Sequence, residues 1–184
     1  MNRLAAAFVM LLLFSAAALA AGPKAGDVLP DAVVKAQLQP AEAEYLGLPA
    51  RTQSFRLSQI KAEALVVEVY SMYCPRCQAE ATAVNRMFAR LAASPEGARI
   101  KFLAIGAGNT PFEVEFFRKK YQTQMPMLPD ADYVLHKAFM SVGTPAFFVL
   151  KPVKGGLSVL FFREGAFPDE NVLYDQLLRA ATQR

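Results

Sequence analysis

Cys74 and Cys77 are the only thiols in the chain, three residues apart in Cys74-Pro75-Arg76-Cys77. They follow an apolar run, Ala64 to Tyr70, and precede a stretch that reads as helix. A pair of thiols at that spacing, where a strand hands over to a helix, is a redox device or part of a metal site. As a structural staple it would close a very small loop and remove little entropy from the unfolded chain. The pair is there to react or to bind.

Disulfide exchange requires a thiolate that reaches a partner and a second thiol that resolves the mixed disulfide. Cys74 is expected at a helix N-terminus, where backbone N–H groups and the helix dipole lower a thiol pKa. Cys77, one turn in, is expected to be shielded and to resolve. Arg76 places a positive charge between them, either to stabilise the Cys74 thiolate or simply to face solvent. Glu68 falls in the middle of the apolar run, where an acid is costly without a task or a partner. It reads as a proton donor or acceptor near Cys77, as an edge residue facing solvent, or as the salt-bridge partner of Lys61 or Lys101. The metal reading would add His136, the sole histidine, to the two cysteines. Thiolates suit Cu(I), whereas zinc would need a fourth ligand.

The elements that must hold these residues follow from periodicity. Gly22 to Pro49 is a proline-spaced, extended lead-in with a short helical piece near Pro40 to Tyr45. Arg51 to Leu57 suggests a strand, and Ala64 to Tyr70 a central buried one. Pro75 to Ala93 reads as a helix with Ala79, Ala83, Met87 and Leu91 inward. A second buried strand covers Arg99 to Gly106. Thr110 and Glu113 form a capping box that opens a helix over Pro111 to Tyr121. A short strand or turn at Met125 to Pro129 and a helix over Ala131 to Met140 come next. Gly143-Thr144-Pro145 then precedes the strand AFFVL, which pairs with Leu157 to Phe162 across Lys154-Gly155-Gly156. Pro168 to Ala181 closes as a helix with Val172, Leu173, Leu177 and Ala180 inward. The order βαβα(β)αββα predicts an α/β fold with a mixed sheet.

The 184 residues suffice for one domain with a sizeable core. A positive start at Arg3, an apolar stretch and Ala18-Leu19-Ala20 lay out a secretory signal peptide over residues 1–20, leaving 21–184 as the mature domain. The alternative is an uncleaved N-terminal anchor. Either places the domain outside the cytoplasm, in a bacterium the periplasm. Cleavage leaves 19 basic against 16 acidic residues. The basic residues are scattered apart from Arg118-Lys119-Lys120, read as a solvated helix face, so nucleic acid is not implied.

The element order, the strand-to-helix CPRC, Glu68 six residues before Cys74, and Gly143-Thr144-Pro145 ahead of AFFVL together resemble the thioredoxin-like superfamily. EVYSMYCPRC is locally similar to DsbA-like oxidases, although Arg76 stands where those carry histidine. The elements between the cysteines and Pro145 resemble instead the TlpA/ResA-type redoxins: a thioredoxin fold with an N-terminal extension and a βα insertion between CxxC and cis-proline. That resemblance implies a cis Pro145 that faces the dithiol, blocks metal binding there and lets Thr144 pair with an extended client. It also implies that Gly165-Ala166 could line the groove. The implied activity is periplasmic thiol–disulfide exchange, reductive in direction, with no cofactor beyond the Cys74–Cys77 disulfide and no metal. Expected partners are a membrane thiol electron donor or acceptor and client proteins, apocytochrome c among them, served by a monomer. Three other readings stand beside it, one of them a redox-inert adaptor that inherited the fold, against which the two intact cysteines argue. A peroxiredoxin-like peroxidase would match Ser71 to the family's hydroxyl position but needs proline where Val67 stands. A Sco-like copper chaperone would use Cys74, Cys77 and His136, though that family spaces its cysteines one residue wider.

Overall fold

In the computed structural model, which describes residues 22–183, the lead-in holds more regular structure than its prolines announce. It forms strands β1 (Val28–Leu29) and β2 (Val33–Lys35), helix α1 (Pro40–Leu46) and strand β3 (Ser54–Arg56). Pro40 opens α1, where a missing N–H costs nothing, and Glu42 reaches back to accept from the Gln39 N–H at 2.9 Å. Gly47 ends the helix at φ 65°, a left-handed cap that glycine adopts without steric cost. β2 and β3 pair antiparallel as a separate ribbon. The segment 1–20, expected as signal peptide or anchor, lies outside the described residues. Among those described, no helix is long and apolar enough to cross a membrane.

The remaining chain runs β4 (Ala64–Tyr70), α2 (Pro75–Ala92), β5 (Ile100–Ala107), α3 (Pro111–Tyr121) and β6 (Met127–Asp130). It continues through α4 (Val134–Ala138), β7 (Ala146–Val153), β8 (Gly156–Glu164) and α5 (Glu170–Thr182). The six-stranded sheet has the order β1-β8-β7-β4-β5-β6. β4, β5 and β6 run parallel through helical crossovers, while β7, β8 and β1 run antiparallel to their neighbours. Every residue of β4 is buried, as befits a strand covered on both faces. Leu65, Val67 and Val69 pack with Leu103, Phe148, α4 and the lead-in. Val66 and Tyr70 pack on the other side with Phe102, Phe147 and the buried stripes of α2, α3 and α5. Each large apolar side chain so removed from water contributes about 1.5–3 kcal/mol.

Several details differ from expectation. The buried stripe of α2 is Cys77, Ala81, Val84, Met87, Phe88 and Leu91, with Ala79 exposed and Ala83 half-buried. A strict step of four drifts about 40° per step around a helix of 3.6 residues per turn, so the true stripe mixes threes and fours. Helix α4 is shorter than Ala131 to Met140, bounded by left-handed Tyr133 on one side and Met140 and Ser141 on the other. Asp169 caps α5 through the N–H groups of Asn171 and Val172. Val172, expected inward, is 52% exposed, and Tyr174 takes the inward place. Arg118 is not part of a solvated triplet: its guanidinium meets Glu42 at 2.7 Å, tying α3 to α1, while Lys119 and Lys120 are exposed.

Candidate active site

The short loop Ser71 to Tyr73 joins the C-terminal end of β4 to α2. Cys74 is the N-cap of that helix, and its Sγ accepts from the Cys77 N–H at 3.3 Å. Capping a helix with sulfur aims the first-turn dipoles at the atom that must carry charge. The same Sγ lies 3.3 Å from the Thr144 carbonyl oxygen, to which the protonated thiol donates. Both cysteines are free; Cys74 is half-buried and Cys77 only 1% exposed. Burial pushes the Cys74 thiol up, but hydrogen bonds with Cys77 and Thr144 side chains and from the Cys77 and Arg76 backbone outweigh it, so the thiol sits below its ordinary value. Burial pushes the Cys77 thiol far up, and its hydrogen bond to Cys74 adds to that. Arg76 itself is exposed, and what it brings to the Cys74 sulfur is its backbone N–H.

Glu68 projects from the α2 face of β4 and is 4% exposed. Burial raises its carboxyl pKa to about 8, helped by the charges of Glu80 and Cys74. It is not an edge residue, and Lys101 donates instead to the Gly97 carbonyl at 2.8 Å. Glu80 escapes the sequence reading. It sits three residues after Cys77, on the next turn of the same helix, and that spacing was the available signal. One Glu80 oxygen accepts from the Phe167 N–H at 3.0 Å; the other is buried without a partner among the described residues. Burial raises its pKa, opposed by the Phe167 N–H and by Arg163 and Arg76. Arg163 stands in register with Phe147, which is itself in register with Glu68, so a buried acid and a base flank one aromatic ring across three strands.

The Thr144–Pro145 peptide bond is cis. Gly165 donates to the Pro145 carbonyl at 2.8 Å, and Arg163 donates to the Ala166 carbonyl at 3.1 Å, so the Gly165-Ala166 turn is tied to the same corner. The loop before Cys74 is held from the other side. Asn109, fully buried, accepts from the Met72 N–H at 2.9 Å, and Gln78 donates to the Met72 carbonyl at 2.7 Å. Tyr73 donates to Glu113, which also caps Thr110. Tyr70 is therefore core, Met72 half-buried and Tyr73 rim, at 67% exposed.

The structure does not join His136 to the cysteines. Its ring Nε2 donates to the Val142 carbonyl at 2.7 Å, and among the described residues no group of three or more His, Cys, Asp or Glu side chains gathers to hold a metal. The peroxide cradle is also missing. Val67 is fully buried in mid-strand, paired with Leu103 and Phe148, where proline would remove a ladder hydrogen bond.

A sheet of this order, with a dithiol capping the helix after its central strand and a cis-proline opposite, defines a thioredoxin-like fold. The AhpC/TSA family model matches residues 26–166, and the chain belongs to that family. Solved structures share the fold at low identity. A secreted Mycobacterium tuberculosis disulfide oxidoreductase homologous to Escherichia coli DsbE is 22% identical with a TM-score of 0.55, covering 69% of this chain and 89% of its own. StoA from Bacillus subtilis is 17% identical, TM-score 0.57, covering 79% and 96%. A thiol:disulfide interchange protein of the thioredoxin family from Chlorobium tepidum is 16% identical, TM-score 0.58, covering 88% and 99%. A search of curated protein sequences returns no match.

Proposed function

We propose that the chain is a thiol–disulfide oxidoreductase working in the periplasm, with Cys74 as nucleophile and Cys77 as resolving thiol. The observation that carries this is the asymmetry of the pair: one sulfur reachable and held below its ordinary pKa, the other buried and held above it. In the reductive direction the Cys74 thiolate attacks a client disulfide and expels one client thiolate. Cys77 then gives up its proton, attacks the Cys74 sulfur and releases the second client thiolate. Two electrons pass to the client and the Cys74–Cys77 disulfide forms. Glu68, with a carboxyl near 8, takes the Cys77 proton and returns it on re-reduction. Glu80 sets the field around Glu68, while Thr144 and Pro145 form the edge on which an extended client lies.

The dithiol is the only redox group this scheme requires. A membrane thiol donor would restore it, and apocytochrome c is one client class. The domain acts as a monomer, delivered by a cleaved signal peptide. Support for the location comes from the mycobacterial relative, which is secreted. The test is the reduction potential of the pair against glutathione. A value near about −270 mV supports a reductase and one near about −120 mV an oxidase. Failure to equilibrate removes the dithiol reading.

A further inference from the structure

His136 has no place in the dithiol chemistry, yet its ring is held tightly. Its backbone N–H donates to the Asp130 carboxylate at 2.7 Å, as does that of Leu135 at 2.9 Å, which fixes the start of α4. Its ring Nε2 lies 2.7 Å from the Val142 carbonyl oxygen. A carbonyl only accepts, so the ring must carry its proton on Nε2. The chain between is bent by two successive left-handed residues, Met140 (φ 62°) and Ser141 (φ 52°), with Ser141 N–H returned to the His136 carbonyl at 2.9 Å.

The end of β8 grips the same segment from the opposite side. Glu164, in register with Ala146, accepts from the Gly143 N–H at 2.9 Å. Its neighbour Gly165 donates to the Pro145 carbonyl. A Cβ on Gly143 would come within 2.8 Å of the Glu164 carboxylate, so glycine is what lets the acid reach the backbone. Residues 142, 143 and 145 are thus each pinned by a different group, and Thr144 between them presents its carbonyl to Cys74 at 3.3 Å.

We propose that His136 and Glu164 are positioning residues that hold the Thr144 backbone in the geometry that receives an extended client beside Cys74. The inference rests on the dithiol reading and deepens it: affinity for a polypeptide disulfide depends on two side chains that touch neither sulfur. A small disulfide that needs only the Cys74 thiolate gains much less from them.

The experiment uses the full chain, with a disulfide-bonded peptide and oxidised glutathione as alternative substrates. His136→Leu removes the donor, His136→Gln offers an amide N–H in its place, and Glu164→Gln weakens a charge-assisted acceptor at an exposed site. The expected result for His136→Leu is a KM for the peptide raised about tenfold, the loss of one well-placed hydrogen bond. The turnover number should hold, glutathione kinetics should change less than twofold or so, and His136→Gln should recover most of the loss. Glu164→Gln should raise KM by a factor of about three, in the same direction. Unchanged peptide KM in both His136→Leu and Glu164→Gln overturns the proposal, as does a loss shared equally by peptide and glutathione and not recovered by His136→Gln. If wild type itself fails to exchange with glutathione, the dithiol reading falls first, an outcome separate from the other two.

Discussion

The two faces of β4 make opposite use of one strand. Leu65, Val67 and Val69 point into an apolar layer against α4 and the lead-in, where the buried acid Asp130 accepts from the Leu135 and His136 N–H groups. On the α2 side, between Val66 and Tyr70, stands Glu68, with Glu80 and Arg163 nearby and Tyr70 keeping a buried hydroxyl without a partner among the described residues. Both faces are equally shielded from water, so exposure does not separate them. What separates them is unresolved electrostatics, which costs stability and which a purely structural layer avoids. The costly groups lie beneath the two cysteines. The difference locates the chemistry on the α2 face and leaves the other face to hold the fold.

The largest effect that tests this division is loss of the nucleophile. Cys74→Ser should lower peptide disulfide exchange by about three orders of magnitude or more while leaving the far-ultraviolet dichroism and the urea midpoint near wild type. Cys77→Ser should instead trap a mixed disulfide through Cys74, detected by mass on a non-reducing gel. A trapped adduct through Cys77 in the Cys74→Ser chain would reverse the assignment of the two sulfurs.

On the quiet face the expected effect is stability alone. Leu65→Ala should cost about 2–5 kcal/mol in urea unfolding, from lost burial and the cavity left behind. The reduction potential of the surviving folded protein should not move. A shifted potential would mean that the apolar layer tunes the dithiol, and the two faces would no longer be separable.

Glu68→Gln should do the reverse. A carboxyl at about 8 in the folded protein and near 4.5 unfolded binds more protons when folded, so its contribution is fully present below pH 4.5 and is lost as pH rises through about 8. The amide has no such loss. The variant should match wild type near pH 4 and exceed it progressively up to pH 8, by on the order of a few kcal/mol, in reduced-state denaturant titrations. Its resolving step should be slower and its pH profile flatter. Equal stability at pH 8 would show that the acid is paired or hydrated and is not the buried proton carrier.

Much of this is legible in the sequence. The two cysteines, the acid in an apolar run and the Gly143-Thr144-Pro145 break are local patterns, and their chemistry follows from residue type. Helix α3 was readable to the residue because Thr110, Pro111 and Glu113 mark its start in sequence. What is not legible at Glu80 and Arg118 depends on partners far along the chain. Glu80 is committed to the Phe167 N–H and Arg118 to Glu42, whereas His136 bonds within a local turn shaped by left-handed residues that sequence patterns rarely flag. Val172 reads as inward by periodicity, whereas the buried stripe of α5 is Leu173, Tyr174 and Leu177.

Glu80 supplies the smallest and most discriminating test. Its charge is one of the causes that raise Glu68, second to burial. Glu80→Gln should therefore lower the Glu68 titration by about one unit or less, since a partly screened like charge is removed and burial remains. The carboxyl carbon of Glu68, followed by NMR against pH in the reduced protein, reports it directly. If the midpoint instead stays put, burial alone raises Glu68. The α2 face would then owe its chemistry to one desolvated acid, with Glu80 holding only the Phe167 backbone.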